Sequence, residues 1–281
     1  MTLNSRKKHH IQKVILHFFL VLISLTMLAP FYWMVITGFK TDTNVMVVPP
    51  QFFPNPISFE HYQRVLTMPQ LWRSTLNSSI IAVVLMLGSL FTTSLAGFAF
   101  AKIPFTGKNK VFGLFLGTLM IPGPVMMIPL YIVFAKIGWV GTQLPLVVPG
   151  ILLNVTGVFL MRQFMMGIPD SYVESARIDG CGYFGIYIKL FLPICKAILS
   201  TLALTTFIGS WNDFMGALIY LSDPKSYTLP LLLATFRVTQ YEISWGSVMA
   251  VSTLIVLPTA IMFLINQKHF TQGVILSGLK S

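Results

Sequence analysis

Two stretches of this 281-residue chain carry side chains whose types and spacing could do chemistry. In Trp211-Asn212-Asp213 an aromatic ring, an amide and a carboxylate follow one another. An indole face stacks on the apolar face of a pyranose, and amide and carboxylate hydrogen-bond its hydroxyls, so the trio could grip a sugar. It equally suits a plainer role, with Trp211 in an interfacial aromatic belt and Asp213 capping a short helix. The second stretch, Ile168 to Pro193, is a long polar interruption between apolar runs. Pro169 holds φ where a helix can begin, and Ser171 followed by Glu174 reads as a capping box. Val173, Ala176 and Arg177 recur at helical spacing, and Gly180 can adopt the left-handed conformation that closes a helix. The pattern predicts a short amphipathic helix ending at Gly180. A second, from Tyr183 to Lys189, leads to Leu192-Pro193.

Other chemistries are missing from the chain. No G-x-x-x-x-G-K-[ST] phosphate loop is present; Gly107-Lys108 lacks the upstream glycine and the hydroxyl residue, so this chain does not hydrolyse ATP by that mechanism. No Ser/His/Asp set or metal-spaced His/Cys cluster lies in the apolar runs, and neither catalysis nor a cofactor or metal is expected. Cys181 and Cys195 read as packing residues. His17 lies near the end of an apolar run and suits snorkelling to an interface.

The elements that must position both stretches are membrane helices. The chain is 55% hydrophobic and 10% charged, with a mean hydropathy of +0.77. Soluble domains carry about 25% charged residues, so an all-α polytopic membrane protein is expected. Six spans are predicted: residues 14–36, about 76–101, 111–134, 144–161, 197–208 and 247–265. The first follows a basic tail, residues 1–13. It is long enough to cross a bilayer, and Ala29 followed by Pro30 is a poor cleavage site, so it reads as an uncleaved span. Residues 37–72 form an external loop rich in proline and aromatics, and residues 73–266 hold the remaining spans. The second span contains Ser94, Ala96, Gly97 and Ala99, small enough for close helix approach in lipid. Ile121-Pro-Gly-Pro124 should break the third, as on transport paths or at a simple kink. Residues 209–244 read as a mixed loop, and 267–281 as a cytoplasmic tail.

Net charge is +11. The basic residues lie between apolar runs, which points to anionic lipid headgroups and topology rather than nucleic acid. On this topology thirteen basic residues fall inside against six outside, placing both termini and the Glu174 stretch in the cytoplasm. Membrane-buried carboxylates mark ion-coupled carriers, and their near absence argues against a secondary carrier.

Glu174-Ser175-Ala176, then Gly180, then nine residues and Leu190-Phe191-Leu192-Pro193, resembles the "EAA" signature of ABC importer permeases, with Ser175 for Ala and Leu190 for Ile. The likeness extends through Pro30 to Lys40, Pro129-Leu-Tyr131, Arg162-Gln-Phe164, Trp211-Asn-Asp-Phe214 and Tyr227 to Pro230, where the chain is similar to the carbohydrate branch and its maltose-importer (MalG-like) permeases. The resemblance implies a type I importer fold in a bacterial cytoplasmic membrane. It also implies a second permease subunit, two cytoplasmic ATPase subunits and an extracytoplasmic sugar-binding protein as partners. Residues 162–193 would be the loop that docks on the ATPase, through Glu174, Ser175, Ala176, Arg177, Asp179, Gly180, Leu192 and Pro193. The external stretch Ser222 to Trp245 would reach into the binding protein, so shortening Arg237 to Ser244 should lower binding-protein-stimulated ATP hydrolysis. The solute would be a sugar or oligosaccharide. A polyol or glycerol phosphate permease is the alternative, and a carrier or scaffold is the more distant one.

Overall fold

The computed structural model describes residues 3–236 and 245–278. The expected roles of Arg237, Tyr241 and the rest of 237–244 fall outside the described residues. Helix α1 spans Leu3–Thr37, and an 18-residue window within its 28-residue part His10–Thr37 has a mean hydropathy of 2.3. At 1.5 Å per residue that part is about 42 Å long, enough to cross a bilayer. Every described side chain from His10 to Tyr32 is exposed, so lipid is the surrounding that suits this apolar helix.

A short helix, α2 (Glu60–Leu66), precedes the 34-residue α3 (Pro69–Lys102). Next come α4 (Lys108–Gly117), a 3₁₀ turn over Thr118–Met120, and α5 (Gly123–Lys136). The two α segments are bent by 101°. The break falls where Ile121-Pro-Gly-Pro124 predicts it. Ile121, held before a proline, is extended (φ −87°, ψ 116°), and Pro122 has no N–H to continue the ladder.

Helices α6 (Leu144–Leu152) and α7 (Val155–Met166) meet at Asn154, whose side-chain oxygen caps α7 by accepting the Gly157 N–H at 2.8 Å. After α8 (Ser171–Ile178) comes α9 (Tyr183–Ile194), with a π turn over Tyr187–Phe191. Then α10 (Lys196–Trp211) leaves at 80°. Two short helices, α11 (Met215–Tyr220) and α12 (Leu229–Thr235), occupy the expected mixed loop. The last, α13, runs Trp245–Gly278. It continues through most of the segment expected to be a tail, because no proline or glycine breaks the run from Asn266 to Thr271. Among the described residues, four helices can cross a membrane by length and composition, or up to six if each bent pair is one span.

The chain divides into two compact units. One comprises Met1–Pro69 and Thr235–Leu257. Aromatic pairs organise its Pro-rich segment: Trp33 with Phe52 at 5.9 Å, and Phe39 with Tyr62 at 4.6 Å. Lys40 is buried with its ammonium 4.0 Å from the Trp33 ring centre, and burial lowers its pKa. His61 is wholly buried, its Nδ1 3.3 Å from the Ser247 hydroxyl.

The other unit comprises Gln70–Ala234 and Pro258–Ser281. There α3 packs against α6 and α7 through small residues: a Cβ on Gly150 would meet Leu85, and one on Gly157 would meet Thr93. The Asn154 amide donates to Ser89 Oγ at 2.8 Å, and the Thr92 hydroxyl donates to the Ile151 carbonyl. Polar groups within an apolar bundle satisfy one another in this way because lipid offers no partner.

Candidate functional site

Helix α8 seats one face and presents the other. Val173 and Ala176 point into a core with Phe98, Met161, Met165, Ile168, Ile186, Tyr187 and Phe191. Glu174, Ser175, Arg177, Asp179 and Gly180 are exposed, Leu192 is half-buried and Pro193 exposed. Six of the eight residues singled out from the sequence are therefore exposed, five of them on α8 and its C-terminal end, while Ala176 is the small inward residue that lets the helix sit close. Gly180 has φ +80°, as its type predicts. Its N–H donates to the Arg177 carbonyl at 3.0 Å, and Cys181 N–H donates to Ala176 at 2.9 Å, closing the helix.

The capping box does not form. Ser171 is the first helical residue rather than the cap, and Asp170 holds the cap position with no side-chain cap bond. The Asp170 carboxylate accepts from Lys102 Nζ at 2.5 Å instead, and that ion pair draws it away from the helix N–H groups.

Two exposed apolar residues of α8 were not among the site residues expected from the sequence, although Ile178-Asp-Gly180 is part of the family likeness. Ile178 is 86% exposed and Tyr172 51% exposed. A large apolar residue on the polar side of an amphipathic helix was the available signal, because a lone helix gains nothing by showing one to water. Between α8 and α9 lies a groove of about 500 Å³ lined by Tyr172, Ser175, Ala176, Asp179, Ile186 and Leu190, among others. Arg177 bridges the two helices, donating to the Tyr183 hydroxyl at 3.1 Å.

At the end of α10 the structure separates the three candidates for solute contact. Trp211 is 2% exposed and stacks on Phe207, with ring centres 5.7 Å apart. The exposed Asn212 turns its amide back to the Ile208 carbonyl at 2.9 Å. Asp213 Oδ1 accepts the Gly216 N–H at 2.9 Å, capping α11 as the plainer reading has it. Asp213 also lines a cavity of about 210 Å³ with Ile81, Leu85, Leu146, Gly209, Ser210 and Thr228. The Thr228 hydroxyl is buried there without a hydrogen-bond partner. Among the described residues no group of three His, Cys, Asp or Glu could hold a metal ion.

The family model for binding-protein-dependent transport system inner membrane components matches residues 93–275. The chain belongs to this family. It is an integral membrane protein and a permease subunit of an ABC importer, and no enzyme family is indicated. This inner membrane component is 31% identical to the arabinooligosaccharides transport system permease protein AraQ of Halalkalibacterium halodurans, over 89% of this chain and 90% of the relative. It is 31% identical to the trehalose/maltose transport system permease protein MalG of Thermococcus litoralis, over 96% and 98%. A crystal structure of a bacterial ABC transporter involved in the import of the acidic polysaccharide alginate shares the fold, with a TM-score of 0.82. Its identity is 24%, over 96% of this chain and 99% of that one.

Proposed function

We propose that this chain forms half of the membrane pathway for a sugar or oligosaccharide delivered by an extracytoplasmic binding protein. The observation that carries the reading is full-length similarity to permeases named for arabinooligosaccharides and for trehalose/maltose. The partners are a second permease subunit, a pair of cytoplasmic ATPase subunits and the binding protein, in a bacterial cytoplasmic membrane. Six spans with both termini inside agree with the excess of basic residues in the loops assigned to that side. The span boundaries, the tail at 1–13 and the loop at 37–72 follow from the same topology.

Residues 162–193 are the coupling loop, with Glu174, Ser175, Arg177, Asp179 and Gly180 meeting the ATPase. Ala176, Leu192 and Pro193 hold the shape behind them. An exposed Ile178 and Tyr172 support this reading, since both suit a partner that covers them. On the solute side the cavity beside Asp213 joins an apolar wall, Ile81, Leu85 and Leu146, to the polar groups of Ser210, Asp213 and Thr228. A sugar ring offers the complementary pair of faces. Trp211 and Asn212 lie next in the chain to Asp213, and any part they play acts through its position.

The deciding experiment purifies the complex in lipid with its binding protein and measures which sugars raise ATP hydrolysis. Stimulation by one or more oligosaccharides is expected, and stimulation by a polyol or glycerol phosphate alone would overturn the sugar reading. For the pathway, Asp213→Asn and Thr228→Val are expected to change the order in which sugars compete for uptake, normalised to inserted protein. Trp211→Ala and Asn212→Ala should follow them. An unaltered order in all four would remove this cavity from the pathway.

A further inference from the structure

The cytoplasm-assigned end of α3 and the proposed coupling loop are joined by an ion pair between Lys102 and Asp170. The Lys102 side chain is only 4% exposed. Its ammonium donates to the Ile168 carbonyl and to the Asp170 carboxylate, each at 2.5 Å, and lies 6.0 Å from the centre of the Phe191 ring. One cation thus touches the residues that lead into α8 and the aromatic side chain of α9 that backs it.

Around it carbonyls of the last turn of α3 and of Ile103, just past its end, are taken by two more cations. Arg162 Nε donates to Phe100 O at 3.2 Å, and its guanidinium stands 4.1 Å from the Phe112 ring centre. Lys108 Nζ donates to Ala101 O and Ile103 O at 3.1 and 3.2 Å. Cations at a helix C-terminus are favoured by its partial negative charge, and they satisfy carbonyls that have no partner within the helix. The α3 face one and two turns earlier continues the contact. Ser94 Oγ lies 2.7 Å from the Tyr187 hydroxyl, and the Phe98 ring is 4.9 Å from Phe191.

We propose that Lys102 is a positioning residue that mounts the coupling helix on the end of α3. A shift of the ATPase against α8 would then reach α3, and through it the solute pathway, as one rigid displacement. The inference rests on the coupling reading of residues 162–193. The geometry favours mounting over mere stabilisation because Asp170 is 75% exposed on its own. Exposed ion pairs add little stability, whereas a buried ammonium that donates to both a carbonyl and a carboxylate fixes direction.

The test uses the assembled complex in liposomes, with its ATPase and loaded binding protein, and reads solute transported per ATP hydrolysed. Lys102→Met should lower that ratio about tenfold, as expected for loss of a charge-assisted hydrogen bond. Asp170→Asn, a change on an exposed side chain, should lower it in the same direction, and the double variant should fall no further than Lys102→Met. Lys102→Arg should keep the ratio near that of the unaltered protein. A residue that only stabilises the fold would change the amount of assembled complex and leave the ratio alone. An unchanged ratio in both Lys102→Met and Asp170→Asn overturns the proposal. Glu174→Lys is measured beside them. If it leaves transport intact, the coupling reading itself has failed, whatever Lys102 does.

Discussion

Glu174→Lys and Gly180→Leu are each expected to abolish uptake while the protein still inserts and accumulates in the membrane. Glu174 is exposed on α8 and makes no ion pair among the described residues. Surface substitutions of this kind change stability by about 0.5 kcal/mol or less, so the fold should tolerate the reversal. Loss of uptake then reports a partner that reads the charge. At Gly180 nothing lies within 4 Å of where a Cβ would stand, so the chain itself leaves room for a side chain. The penalty within the fold is conformational, since φ is +80° and an L-residue there costs roughly 1–2 kcal/mol. Gly180→Ala pays the same strain with little bulk. Alanine retaining uptake where leucine loses it would locate the obstruction in the ATPase groove. Uptake per inserted protein, together with co-purification of the ATPase, provides the measurement. Normal uptake in Glu174→Lys would reduce that residue to a surface charge.

Gly97→Leu should be the most damaging single change within the fold. A Cβ at Gly97 would stand 2.5 Å from Met161 Cβ and 3.1 Å from the backbone nitrogen of Arg162. Neither atom can move by a rotamer change, so α3 and α7 must separate. Overpacking of a tight core costs about 1–3 kcal/mol, and here it also displaces Arg162, where the proposed coupling loop begins. Even Gly97→Ala is expected to lower the thermal midpoint of the purified complex and to reduce uptake. Gly113→Ala and Gly117→Ala are the controls. Nothing lies within 4 Å of either position, and alanine favours a helix by about 1 kcal/mol over glycine. A Gly97→Ala complex with an unshifted midpoint would mean that the two helices do not meet as closely as described.

Features governed by a few neighbouring residues were readable from the chain. Apolar runs of bilayer length, the break at Pro122 and the left-handed Gly180 each follow from local sterics or hydropathy, and the structure has them where the residue types put them. The small residues of the second span likewise announced close packing, and Gly97 shows it. Boundaries were less readable, because adjoining polar residues extend a helix at little cost; α3 begins at Pro69 and α13 runs on to Gly278.

What long-range packing decides could not be read in this way. The 80° bend ahead of α10 follows Pro193, which the sequence announces, and a π turn over Tyr187–Phe191, which no residue type there announces and within which Phe191 packs on Phe98 of α3. Trp211 carries the same signal whether it faces a sugar, a lipid interface or a core, and only its stacking on Phe207 shows which. Ser171 and Glu174 satisfy every local rule for a capping box, yet Lys102, 68 positions before Asp170, takes the carboxylate that occupies the cap. A lysine and an aspartate so far apart each look solvated on their own. The pairing, and the bury-or-expose choice made at each end of it, exists only after α3 has been laid across the loop.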